Sequence, residues 1–136
     1  MPGRVGERDE VIGAIRRDLA ARPEILFACL HGSFQQGGPS RDIDVAVWLD
    51  PRGASPRSRT VYAIDLSAAL ERAAGRRVDV QVLNGAPLAF RFHALQGEPL
   101  VVREWEAFDE TRARTWDEYF DFLPFAREYL REVLRA

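Results

Sequence analysis

The chain has 136 residues, 46% of them hydrophobic and 29% charged, with a formal net charge of −2. That length suits one domain that buries its core without disulfides or a structural metal, and the near-neutral balance excludes a global electrostatic drive toward nucleic acid or an anionic membrane. The single cysteine, Cys29, has no internal disulfide partner, no apolar run reaches the ~18 residues of a membrane span, and the N-terminus lacks a signal-peptide core, so a reducing, cytoplasmic location is expected.

Glu7 to Ala21 reads as an amphipathic helix, with Val11, Ile12, Ile15 and Leu19 at helical spacing and Pro23 as its stop. Ile25 to Leu30 is a continuous apolar run that suits a buried strand and carries Cys29 as a small core residue. The segment from Gly32 to Ser40 reads as a loop or a short turn of helix. A second strand follows at Ile43 to Leu49, then an exposed loop through Asp50-Pro51-Arg52-Gly53-Ala54-Ser55-Pro56. Thr60 to Ala74 reads as a second helix with Val61, Ile64, Ala68 and Leu70 forming most of an apolar stripe, closed by Gly75 as a cap. Val78 to Leu83 alternates as a third strand. Pro87 opens a third long helix that runs to about Gln96 and ends at Gly97. Leu100 to Val102 is a short strand, and Glu104 to Ala136 is helical in pattern. Pro124 predicts two helices there, or one kinked helix. This order gives an α/β (α+β) domain with one small mixed sheet flanked by helices, with no internal repeat and no low-complexity segment.

The chemistry concentrates in His31-Gly32-Ser33 and in Asp42-Ile43-Asp44, separated from Ser33 by eight intervening residues. Alternation along a strand puts Asp42 and Asp44 on one face, roughly 6–7 Å apart, with Ile43, Val45 and Val47 on the other. Two carboxylates on one side of an apolar strand repel each other and resist burial, and a divalent cation relieves both problems. The glycine-rich segment before them offers backbone N–H groups of the kind that cradle phosphates. Asp79 shares a face with Gln81 and would join the pair if the third strand lies beside the second. Such a carboxylate cluster suits Mg²⁺ and the two-metal clamp of phosphoryl transfer. The bland alternative is three solvent-face aspartates on strand ends. His31 could act as a base, but a structural histidine is the more common case, and His93 has no partner in sight. Every basic residue is arginine, which fits either bidentate phosphate contacts or a coding bias. The C-terminal region carries Trp105, Phe108, Trp116, Tyr119, Phe120, Phe122, Phe125 and Tyr129, a candidate partner surface or simply a cap on the sheet.

Gly32-Ser33, Asp42-x-Asp44 and the later Asp79 together resemble the DNA polymerase β-like nucleotidyltransferase superfamily, and within it the minimal nucleotidyltransferase (MNT) antitoxins. Val78 to Leu88, with Asn84-Gly85-Ala86-Pro87, is similar to the family's third-carboxylate strand and the turn after it. Gly97 to Val102 is similar to its last strand, and Tyr119 to Pro124 to the C-terminal helix of the antitoxins. The resemblance implies the polymerase β-like fold in a single domain, 1–136, with a catalytic core at 1–103 and a C-terminal helical region at 104–136. It implies that Asp42, Asp44 and Asp79 are catalytic and ligate two Mg²⁺, that Gly32 and Ser33 hold the phosphates of ATP, and that Asp79 helps deprotonate the acceptor. Arg41 stands where the family usually has Ser and is a candidate phosphate contact; Gln35 stands where a small residue is usual. The implied partner is a HEPN ribonuclease toxin, AMPylated on a hydroxyl, with a homo- or hetero-oligomer as the implied assembly and no membrane or direct nucleic-acid partner. A contact-only antitoxin and a small-molecule nucleotidyltransferase of the aminoglycoside-modifying type are the competing readings.

Overall fold

The computed structural model describes residues 2–35, 42–53 and 56–135. Helix α1 (Pro2–Ala20) leads into strand β1 (Ile25–His31), a single turn α2 (Gly32–Gln35) and strand β2 (Ile43–Leu49). A 3₁₀ turn (Pro51–Gly53), helix α3 (Pro56–Ala74), strand β3 (Val78–Val82), helix α4 (Leu88–Ala94), strand β4 (Glu98–Val102) and helix α5 (Trp105–Arg135) complete the chain. The four strands form one mixed sheet in the order β3-β2-β1-β4. β1 runs antiparallel to β2 and to β4, while β2 and β3 are parallel.

The sheet has two unlike faces because its strands alternate in sequence. Leu30, Ile43, Val45, Val47, Val78 and Val80 point to one side, where Val11, Ile12, Ile15 and Leu19 of α1 and Leu66 and Leu70 of α3 cover them. Phe27, Cys29, Ala46 and Leu83 point to the other, under Ala94 and Leu95 at the end of α4 and Phe108 of α5. Phe27 anchors this second core by stacking on Trp48 and meeting the Phe108 ring edge-on. Beyond Ala46 the second face carries polar side chains.

Several boundaries differ from those the sequence predicts. α1 starts at Pro2 and α3 at Pro56; their first turns lack the apolar periodicity that marks a helix, but proline is compatible with a first helical position. β4 starts at Glu98 and contains Pro99, which pairs opposite Cys29 beside a register shift. Proline is tolerated there because β4 is an edge strand. Pro87 occupies the N-cap of α4. α5 is one helix of 31 residues that passes through Pro124. The missing proline N–H removes one hydrogen bond, to the Phe120 carbonyl, and the turns on either side carry the helix across it.

Arg103 secures the far end of the sheet. Its guanidinium donates to the carbonyls of Ile25 at 2.8 Å, Ala20 at 2.5 Å and Arg22 at 2.9 Å. These include orphan acceptors at the C-terminal end of α1. Asn84 performs the same service at the other edge: its amide accepts from the Leu49 N–H at 2.8 Å and donates to the Leu49 carbonyl at 2.9 Å. The Asn84-Gly85-Ala86-Pro87 turn is thereby fixed to the end of β2. No helix among the described residues is long and apolar enough to cross a membrane.

Candidate active site

The strand pairings bring the chemistry-bearing residues into rows. His31 of β1 lies opposite Asp44 of β2, and Asp44 lies opposite Asp79 of β3. The next row inward is Cys29, Ala46 and Gln81. Adjacent strands are about 4.8 Å apart, so Asp44 and Asp79 are direct cross-strand neighbours. Asp42 precedes β2 on the same side, where Arg77 Nε stands 4.0 Å from its Oδ1. Asp44 is half-buried, while Asp42 and Asp79 are exposed.

Gly32 makes the closest approach to this row. It has φ +77°, and a Cβ there would lie 2.5 Å from Asp44 Oδ2. Both the left-handed backbone and the contact require glycine. The residue thus lets the turn after β1 fold directly against a carboxylate, and that turn opens helix α2. Phe34 of α2 is buried, and two guanidinium groups flank its ring: Arg8 of α1 with Cζ 5.3 Å and Arg76 with Cζ 5.5 Å from the centroid. These are cation–π distances. Arg8 also donates to the Phe34 carbonyl at 3.4 Å. Arginines from the first helix and from the approach to β3 therefore converge on the turn that follows Gly32. Sequence reasoning misses them, because nothing local links Arg8 or Arg76 to Phe34.

Arg41, Gly37 and Gly38 lie outside the described residues, as do the side chains of Ser33 and Gln35. Among the described residues, no three His, Cys, Asp or Glu side chains are drawn together closely enough to hold a metal by themselves. The donor chemistry still fits Mg²⁺, which keeps several waters and takes one or two carboxylates together with substrate phosphates. Asp44 and Asp79 in register, with Asp42 two residues before Asp44, supply such carboxylates.

A hydrogen-bonded chain crosses the row. His31 Nε2 lies 3.1 Å from Gln81 Oε1, and the Gln81 amide nitrogen donates to Asp79 Oδ2. The Phe90 ring backs the His31 ring edge-on at 5.6 Å. Gln81 is a further residue that the sequence does not flag; its strand position marks only the face. His93 packs against Phe92 and Tyr119 instead, away from the carboxylates. Burial pushes the Cys29 thiol up to about 12, against a partial offset from the Arg112 guanidinium, so Cys29 is not a nucleophile at neutral pH. A groove of about 470 Å³ runs along Arg59, Thr60, Ile64, Val82, Asn84 and Pro87. It holds no carboxylate and no histidine, so the titratable groups that could handle protons or metal lie in the row and not there.

Three solved chains superpose on nearly the whole molecule. One belongs to a toxin–antitoxin crystallised with AMP-PNP (21% identity, TM-score 0.68, covering 95% of this chain and 98% of that one). Another belongs to the MntA–HepT toxin–antitoxin (18%, 0.65, 96% and 97%). The third belongs to the tri-AMPylated Shewanella oneidensis HEPN toxin in complex with MNT antitoxin (20%, 0.64, 96% and 97%). At these identities the likeness establishes the fold. No curated protein sequence matches the chain significantly. The family model for polymerase beta nucleotidyltransferases matches residues 14–106, a span that contains all four strands and every carboxylate of the row. The chain belongs to the polymerase beta nucleotidyltransferase family.

Proposed function

We propose that this protein is an MNT-type antitoxin that transfers AMP from ATP to a hydroxyl, expected to be a tyrosine, of a cognate HEPN toxin. The observation that carries the reading is the row itself. Asp44 and Asp79 sit in register at the uncovered end of the sheet, with Gly32 folded against Asp44 so that the following turn can meet a phosphate. The solved structures support the choice of acceptor and nucleotide, since one is a toxin–antitoxin with AMP-PNP and another an AMPylated HEPN toxin in complex with MNT antitoxin.

In this reading Asp42, Asp44 and Asp79 hold two Mg²⁺, and Gly32, Ser33 and Arg41 contact the phosphates. Mg²⁺ held by these carboxylates would supply charge neutralisation for the triphosphate and Lewis-acid polarisation at its α-phosphoryl group. Asp79 takes the proton of the acceptor hydroxyl as general base. The acceptor oxygen forms its bond to the α-phosphorus while the bond to the bridging oxygen breaks, and pyrophosphate leaves. The backbone N–H groups that follow Gly32, together with the arginines around Phe34, offset charge on the departing pyrophosphate.

The test is to incubate the chain with ATP, Mg²⁺ and its HEPN partner and to measure the partner's intact mass. The reading predicts a gain of one or more AMP units, absent with Asp42→Asn/Asp44→Asn. An unchanged mass under conditions where the two proteins bind would overturn it. Two observations favour a second reading, a contact-only antitoxin: Arg77 stands near Asp42, and no three acidic or histidine side chains of the described residues converge as a metal cage. That reading predicts that the double variant still neutralises the toxin.

A further inference from the structure

We propose that Gln81 and His31 are positioning residues that fix the carboxylate of Asp79 for proton transfer. The inference rests on the reading of Asp79 as base and ligand given above. It starts from the pattern of the sheet. Gln81 and His31 lie on strands separated by β2, and the residue beneath them, Ala46, is too small to keep their side chains apart. Gln81 therefore reaches His31 across the sheet, with His31 Nε2 and Gln81 Oε1 3.1 Å apart.

The donors and acceptors of the chain then follow by elimination. The Gln81 amide nitrogen donates to Asp79 Oδ2, which a carboxylate can only accept. Gln81 Oε1 must consequently be the end that faces His31. An amide oxygen only accepts, so His31 must carry its proton on Nε2. The order is His31 Nε2–H to Gln81 Oε1, then Gln81 Nε2–H to Asp79 Oδ2. Each group has one role, and reversing any of them leaves two acceptors or two donors in contact. The Phe90 ring holds the imidazole at the far end. Asp79 has its Oδ2 committed to this chain, and its other oxygen is left for the metal or for the acceptor proton. An exposed carboxylate would otherwise rotate freely about χ2. Partners behind a ligand that set its orientation are commonly worth 10–100-fold in metal affinity or activity.

The experiment uses the full chain and has two readouts on it alone. Long-range ¹⁵N–¹H spectra of the His31 imidazole report which nitrogen bears the proton, and Mn²⁺ with AMP-PNP reports affinity at the carboxylates. The expected results are an Nε2–H tautomer in the wild type that is lost in Gln81→Leu, and a roughly 10–100-fold loss of Mn²⁺ affinity in that variant. Gln81→Glu, which keeps the shape but replaces the donor with a second carboxylate oxygen, should lose at least as much. With ATP and the HEPN partner, both variants should lower kcat and leave KM for the partner within about twofold. His31→Gln, whose amide can still donate to Gln81, should retain transfer that His31→Ala loses. An Nδ1–H tautomer in the wild type, or full Mn²⁺ affinity in folded Gln81→Leu and Gln81→Glu, would overturn the inference. Failure of the functional reading shows differently, as wild-type transfer by Asp79→Asn, while the tautomer measurement still decides the hydrogen-bond chain.

Discussion

The two faces of the sheet share every strand and do opposite work. On one, Leu30, Ile43, Val45, Val47, Val78 and Val80 lie beneath α1 and α3 and are buried. On the other, Phe27, Cys29 and Ala46 are buried, but the cover stops there, and the strands then present His31, Asp44, Asp79 and Gln81. The difference comes from single-residue alternation. Asp42, Ile43 and Asp44 are consecutive, yet the carboxylates face the open side and the isoleucine the closed one. A slip of one residue in β2 would bury both charges and expose the core. The closed face therefore does more than stabilise: it holds the register that sets Asp44 beside Asp79.

Substitutions on opposite faces of neighbouring strands should separate the two roles. Ile43→Ala leaves a hole in a fully buried site and should cost about 2–5 kcal/mol in chemical denaturation. Asp79→Asn, on the open face, should leave stability within about 0.5 kcal/mol of wild type yet lower AMP transfer by about 10²–10⁴-fold. A large stability loss in Asp79→Asn would show that the open end is structural. Gly32→Ala stands between them. Its left-handed backbone costs a non-glycine residue about 1–2 kcal/mol, and the new Cβ must displace Asp44 Oδ2, so both stability and Mn²⁺ binding should fall.

Cys29 probes how dry the covered part of the second face is. Its thiol is raised to about 12 by burial, so the folded protein favours the neutral form. That contribution to stability is present below the ordinary thiol value of 9.0 and is lost as pH rises through about 12. A thiol reagent at pH 8 should label Cys29 only after unfolding. Rapid labelling of the native protein would show that α4 and α5 open this face. The smallest effect belongs to the end of α5. Phe125 is 75% exposed, and Phe125→Ser should shift stability by less than about 0.5 kcal/mol.

The sheet was legible because alternation is a short-range signal. The strand at Val78 to Val82 reads as two faces, and its pairing with β2 sets Asp79 opposite Asp44. Gly75 reads correctly as a cap: its N–H bonds to the Glu71 carbonyl at 2.8 Å. What escaped the sequence depends on long-range contact. Gly97 reads as a helix stop, yet its stronger requirement is space, since a Cβ there would lie 2.1 Å from the Leu30 carbonyl oxygen. The Arg8–Phe34–Arg76 stack and the Gln81 bridge join residues from different elements, and neither leaves a local pattern. The C-terminal aromatics divide in a way periodicity alone does not give. Phe108 is buried against Phe27, whereas Phe120, Phe122, Phe125 and Tyr129 are exposed because the helix outruns the sheet.

The central claim is that the uncovered end of the sheet, and not the groove beside Asn84, is where the nucleotide reacts. The direct measurement is the anomalous diffraction of a crystal grown with Mn²⁺ and AMP-PNP. The account predicts manganese peaks at Asp42 and Asp44, with the α-phosphate between them and Asp79. Nucleotide density along Arg59, Val82 and Pro87, with no manganese at the carboxylates, would contradict it.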